Sequence, residues 1–225
     1  MTRRETPTLL AERALVDIVD LTSRGGLDYL DALSIQRDVH QEVADGVRPS
    51  TLMLLEHTPV FTAGKRTESH ERPIPGVTTS TPVIDVDRGG KITWHGPGQL
   101  IGYPIIKLRN PHELLGYVRE IESGIIAVLA DLGVTGGRVQ GRSGVWIDGK
   151  RKIAAIGIRV ARGVTMHGFA INANCSLQSF AEIIPCGLAD SEVTTISREI
   201  GSEVTVSDML PLVRRRILPH LEGQL

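Results

Sequence analysis

Two side chains of this sequence could act together as a nucleophile and a base. Cys186 lies in EIIPCGLADSEVTTIS (182–197), where Pro185 fixes the backbone before it and Gly187 frees the backbone after it, a way to expose a thiol at a bend. Backbone N–H groups of a following turn would favour a thiolate or receive an oxyanion. The residues alone leave three readings of Cys186 open: buried filler, half of a disulfide with Cys175, or nucleophile. Two cysteines in a chain of 225 residues form no disulfide framework, and a cytoplasm would keep both reduced. Cys175, in INANCS at the end of a strand pattern, fits the role of filler better.

Lys152 opens KIAAIGIRV, a period-two pattern just after Asp148-Gly149, a dipeptide of tight hairpin turns. Alternation puts Lys152 on the face of Ala154, Ile156 and Ile158, with Ile153, Ala155, Gly157 and Arg159 opposite. A lysine so placed either snorkels at a sheet edge or shares a proton with a neighbouring thiol. RGGKITWHGPGQ (88–99) puts four glycines, a proline, Arg88 and His95 between two strand patterns. Glycine lets a backbone approach a ligand, and Arg88 and His95 could add polar contacts; the same glycines also suit a tight turn. In TMHGFAIN, Gly168 marks a place where another backbone or a ligand comes close. Seven scattered histidines form neither H-x-x-x-H nor H-x-H, so no metal site is expected, and no dinucleotide-binding or P-loop motif occurs.

The elements that must position these residues mix helices and strands without a regular β-α-β repeat. LDYLDALSIQRDVHQEVADG (27–46) and HELLGYVREIESGIIAVLADLG (112–133) have helical periodicity, each closed by glycine. TLMLLEH (51–57) is apolar enough for a strand covered on both faces, and LIGYPIIKL (100–108) is a further strand. The stretch from Pro59 to Pro82 reads mostly as loop. SLQSFAEII and SDMLPLVRRRILPHL read as helices, the second with Ser207 as N-cap. Hairpin signals dominate the second half. The expected fold is therefore α+β, a mixed, largely antiparallel sheet with flanking helices.

With 41% hydrophobic and 23% charged residues, the chain can bury a sizeable core, and residues 1–10 read as a flexible N-terminus before a single domain over 11–225. Net charge is −1, which calls for neither nucleic acid nor an anionic membrane as partner. No transmembrane run or signal-peptide core is evident, and the chain reads as cytoplasmic.

Together, LLEHTPVFTAGKR (54–66), DRGGKITWHGPGQLIGYPI (87–105), GVWIDGKRKIAAIGIRV (144–160), HGFAINAN (167–174) and IIPCGL (183–188) resemble, in order and spacing, the octanoyltransferases of lipoate biosynthesis. The resemblance runs from about residue 20 to about residue 200. It implies the fold of the catalytic domains of biotin and lipoate protein ligases. It also implies transfer of an octanoyl group from octanoyl-acyl carrier protein to a specific lysine of lipoyl domains, through a thioester on Cys186 with Lys152 as its partner. The acyl-binding residues implied are Arg88, Gly89, Gly90, Lys91, Ile92, Thr93, Trp94 and His95, then Ala155, Ile156 and Gly157, then Gly168, Phe169 and Ala170. The oxyanion would meet backbone N–H groups of Gly187 and of the Gly89-Gly90 region. Acceptors implied are the lipoyl domains of 2-oxoacid dehydrogenase E2 subunits and the glycine cleavage H protein. Neither cofactor nor metal is implied, and the enzyme is expected to act as a monomer. An ATP-dependent lipoate or biotin ligase is the nearest rival, because such ligases share the fold and need no nucleophilic cysteine; a non-enzymatic acyl-binding or thiol-sensing protein is the rival from another class.

Overall fold

The computed structural model describes residues 15–73, 79–183 and 192–225. Within them the strands are β1 (Val16–Asp20), β2 (Gly26–Leu27), β3 (Ser50–His57), β4 (Val60–Ala63), β5 (Val83–Asp85), β6 (Thr93–His95), β7 (Gln99–Ile105), β8 (Gly137–Val139), β9 (Arg142–Ile147), β10 (Arg151–Ala161), β11 (Val164–Asn172) and β12 (Glu192–Val193). The helices are α1 (Tyr29–Ala44), α2 (Leu114–Asp131), α3 (Ile196–Ile200), α4 (Val206–Arg216) and α5 (Leu218–Glu222). The main sheet runs β1-β3-β7-β11-β10-β9-β8, with β2 extending β3 and β12 beside β10. Its pairings are antiparallel except β1 and β2 with β3, and β12 with β10. A small sheet, β5-β4-β6, stands apart from it. This is the α+β arrangement expected, with a mixed, largely antiparallel sheet.

β3 is apolar on both sides because both faces of the main sheet are covered. Leu52 and Leu54 point into a core with α2, α4 and α5, while Met53 and Leu55 pack under α1. α1 begins at Tyr29 because Asp28 caps it, accepting from Leu30 N at 2.8 Å and Asp31 N at 3.3 Å. The Asp148-Gly149 turn joins β9 to β10 with φ of 50° and 70°, the left-handed pair a two-residue hairpin needs.

Several expectations need correction. The segment read as loop from Pro59 contains β4, whose four residues VFTA are all buried. Its partners β5 and β6 lie about 20 and 30 residues away, so no local pattern reveals the pairing. The last long helix is capped by Thr205, not Ser207, in a capping box with Asp208, and it breaks into α4 and α5 at Ile217. SLQSFAEII forms only a short 3₁₀ turn, Gln178–Glu182. No helix among the described residues is long and apolar enough to cross a membrane.

Candidate active site

β10 carries the residues on which the site is built, and its alternation is broken once. Lys152 pairs with Trp146 and Ala154 pairs with Val145, so Ile153 is an extra residue in the ladder. Ile153 and Ala154 both turn toward the α2 side, where Ile156 and Ile158 follow them into the same core. Lys152 is thereby placed on the opposite face, with Ala155 and Gly157. The strict alternation expected from the sequence, with Lys152 beside Ala154 and Ile156, is overturned by this bulge. Lys152 is buried, and its Nζ stands 4.6 Å from the centroid of the Trp146 ring. Arg142 lies over the same ring at 5.5 Å.

On that face a cavity of about 210 Å³ lies between the main sheet and the segment leading into β6. Its floor is low. Ala155 and Gly157 of β10 face Ala170 and Gly168 of β11 in register, and only Ile101 and Tyr103 of β7 raise it. The smallness of Gly168 is required: a Cβ there would lie 2.0 Å from the Gly102 carbonyl oxygen. At Gly157 a Cβ would lie 2.8 Å from Arg88 Cδ.

Of the residues implied by the resemblance, Arg88, Gly90, Lys91, Ile92, Thr93, His95, Lys152, Ala155, Ile156, Gly157, Gly168, Phe169 and Ala170 line this one cavity. Ile156 and Phe169 also belong to the α2-side core, so their side chains serve the sheet's other face. Two residues are placed elsewhere. Trp94 alternates with Thr93 and His95 in β6 and turns away, edge-on to Phe180 at 5.5 Å and in a cluster with Phe61, Cys175 and Ile183. Gly89 is exposed, and its N–H donates to Ile158 O at 3.3 Å, so this amide is engaged by β10 rather than facing the cavity. Cys186 lies outside the described residues. The described chain resumes at β12, where Glu192 and Val193 pair with Arg151 and Lys152. Cys175 is buried and free, and burial pushes its thiol up to about 12, as suits a filler.

A chain of side-chain hydrogen bonds makes the roof rigid. The Arg88 guanidinium donates to Gly89 O, Lys91 O, Thr62 O and Thr62 Oγ1, all at 2.8–3.0 Å, and so pins the glycine-rich turn. Thr62 then donates to His95 Nε2 at 3.2 Å, and His95 Nδ1–H donates to Gln99 Oε1 at 2.7 Å. Gln99 Nε2 donates to Asn172 Oδ1 at 2.8 Å, and Asn172 Nδ2 to Thr194 O at 2.9 Å. Thr194 N in turn donates to Lys152 O at 3.0 Å. The Thr62 donation to Nε2 needs a neutral His95, and burial lowers its pKa to about 3. Thr62 and Asn172 are polar residues at strand positions and Thr194 directly follows β12, and sequence reasoning passed over them; the signal for the first two is a polar side chain inside an apolar pattern.

Two further anchors brace the cavity. Glu122 of α2 is fully buried, accepts from Arg119 at 2.6 Å and Arg138 at 3.0 Å, and takes Gly144 N at 3.0 Å. It thus holds the turn carrying Gly141, Arg142 and Ser143 against the cavity's edge. His167, at φ 58°, lines the cavity; its displaced N–H donates to buried Gln36 Oε1 at 3.0 Å, and its ring meets Asp87 at 2.7 Å. Asp87 also pairs with Arg159, and these neighbours hold its carboxyl below the usual range against the opposing effect of burial.

The site can therefore enclose an apolar chain over a floor of methyls and glycines, with an amine beside one end. Comparison with known proteins identifies the family. Residues 28–217 match the lipoyl protein ligase A/B catalytic domain. An octanoyltransferase of Leifsonia xyli subsp. xyli (strain CTCB07) is 56% identical over 83% of this chain and 84% of its own length. The fold is shared at 13% identity by a bipartite lipoate protein ligase from Thermoplasma acidophilum, with TM-score 0.67 over 92% of this chain and 82% of that one. It is shared more distantly by the biotin protein ligase of Aquifex aeolicus, with TM-score 0.51, 13% identity, and 92% and 69% coverage. The chain belongs to the octanoyltransferases of the lipoyl protein ligase A/B catalytic-domain family.

Proposed function

We propose that this octanoyltransferase takes its acyl group from octanoyl-acyl carrier protein and delivers it to a specific lysine of a lipoyl domain, with Cys186 as the covalent carrier and Lys152 as the proton partner. The observation that carries this reading is the cavity itself, floored by Ala155, Gly157, Gly168 and Ala170 and bordered by the buried amine of Lys152. Burying an eight-carbon chain there is worth several kcal/mol at ~0.8 kcal/mol per CH₂.

In the first half-reaction Cys186 gives its proton to the Lys152 amine and its sulfur attacks the thioester carbonyl. The bond to the carrier's sulfur breaks, and the carrier thiolate takes the proton from Lys152. One thioester replaces another, so no external energy source is needed. In the second, the acceptor lysine attacks the enzyme thioester, an amide forms, and Cys186 leaves as a thiolate. Lys152 receives the proton lost by the attacking amine and returns it to that sulfur. Support for Lys152 in this role comes from the bulge that directs it to the cavity and from the Trp146 ring beneath it. The engaged amide of Gly89 leaves Gly90 as the roof's candidate oxyanion donor.

Mass spectrometry after mixing with octanoyl-acyl carrier protein tests the reading. An octanoyl adduct on Cys186, discharged by a lipoyl domain, is the expected result. Transfer that proceeds with no adduct, or that requires free octanoate and ATP, would overturn it in favour of direct or ligase chemistry.

A further inference from the structure

We infer that the side chains of Ile101 and Tyr103, with Tyr29 beside them and His57 behind, form the stop that sets the length of acyl chain the cavity accepts. The inference rests on the acyl-transfer reading of the cavity and adds to it the feature that measures the substrate.

The floor changes height along one register row. Ala155 of β10 stands opposite Ala170 of β11, and Ala170 stands opposite Ile101 of β7. The first two offer single methyls; the third offers a branched four-carbon side chain. Tyr103, two residues further along β7 and on the same face, adds a ring, and Tyr29 at the start of α1 closes in from above. All three residues line the cavity that also contains Lys152, and each is at most 6% exposed. A chain that enters past Lys152 and crosses the strands from Ala155 onward meets β11 first and β7 second. Two interstrand spacings are about 10 Å. An extended eight-carbon chain, drawn with ~1.5 Å bonds in a zigzag, is about 9 Å long. The terminal methyl of an octanoyl group therefore arrives where the floor rises.

The stop is also rigid. Tyr103 Oη donates to His57 Nε2 at 2.6 Å, and His57 Nδ1–H donates to Leu27 O at 3.1 Å. The His57 ring lies 5.2 Å from that of Tyr29, and its own exposure is nil. Tyr103 is thus held through His57 by a backbone-anchored hydrogen bond, and the Tyr29 and Ile101 side chains are buried beside it. The open, small-residue floor has nothing comparable to displace. Such a wall gives a step in chain-length preference, since a longer chain must fold back or leave methylenes outside, at about fourfold per CH₂.

The test is competition among hexanoyl-, octanoyl-, decanoyl- and dodecanoyl-acyl carrier protein, read as ratios of kcat/KM on one preparation so that the active fraction cancels. Ile101→Ala is expected to raise the decanoyl-to-octanoyl ratio by about tenfold or more. Ala170→Leu builds the wall one strand earlier and is expected to lower the octanoyl-to-hexanoyl ratio by a similar factor. Ile101→Val, a milder change should the alanine variant fold poorly, is expected to move the first ratio in the same direction by about threefold. Ratios within twofold of the unmodified protein in all three variants would overturn the inference while leaving the acyl-transfer reading intact. Absence of octanoyl transfer by the unmodified protein would instead overturn that reading.

Discussion

The two faces of the main sheet are built to different rules. Toward α2, α4 and α5 the sheet presents Leu, Ile, Val and Phe side chains that interlock with helices, and this is the larger core. Toward α1 and the small sheet it presents Ala155, Gly157, Gly168 and Ala170, a cavity, and buried polar groups wired together from Arg88 to Thr194. The first face gains stability from close packing. The second keeps volume open, and polar relays hold its walls in place where packing cannot. The difference teaches that a binding face can be rigid without being filled, where buried polar side chains such as Arg88, His95 and Gln99 are bonded in a connected network.

The sharpest break between the faces is expected at one strand position. Lys152→Ala should slow octanoyl transfer by two or more orders of magnitude while shifting chemical denaturation by less than about 1 kcal/mol; comparable losses in both would assign Lys152 to the fold. Its counterpart across the sheet is Ile121 of α2, fully buried in the helix-side core. Ile121→Ala should cost about 2–5 kcal/mol in urea unfolding and leave chain-length ratios where they were.

Acid separates the faces next. His57 is buried neutral, its pKa lowered by desolvation to about 4. The unfolded chain, with an ordinary value near 6.5, takes up the proton first as pH falls. Stability from this group is therefore full above about pH 6.5 and is lost as pH falls toward 4, a change on the order of 3 kcal/mol. Unfolding free energies measured from pH 7.5 to 4.5 should show that slope, and His57→Gln should remove its share and leave the part that buried, neutral His95 contributes in the same direction; an unchanged slope would place the acid sensitivity elsewhere. The smallest effect belongs to the helix layer. Thr205→Ala should cost about 1 kcal/mol by removing the observed cap, whereas Ser207→Ala should cost a few tenths at most.

Legibility in the sequence followed the same division. α1, α2 and the hairpin of β9 and β10 were readable because period and turn chemistry are local: apolar residues recur at helical spacing, and Asp148-Gly149 turns. The glycine-rich stretch from Arg88 and the pair Gly168 and Ala170 were readable as a site through family resemblance, and the structure brings most of those residues to one cavity. What escaped depends on distant partners. β4 is a strand only because β5 and β6 flank it, and Arg88 pins its loop through Thr62, 26 residues away. Trp94, in the middle of the motif, faces the other way because β6 is extended, and the motif carries no sign of which face each residue takes. Lys152 was assigned the wrong companions because a strict two-residue period cannot register an extra residue at Ile153.

That extra residue works as a phase shift within a single strand. Upstream of it, odd and even positions of β10 serve one pair of faces; downstream they have exchanged roles. Deleting Ile153 would remove one apolar side chain from the core and leave a regular ladder in which Lys152, now next to Ala154, still faces the cavity with Ala155; pairing the present length of β10 without the bulge would instead bring Lys152 into step with Ala154 and Ile156 and aim it at α2. The bulge thus reconciles the length of β10 with an amine on the cavity side: drawn straight, the same residues would carry that amine into the helix-side core, so the irregularity is as exacting a requirement as the identity of the lysine.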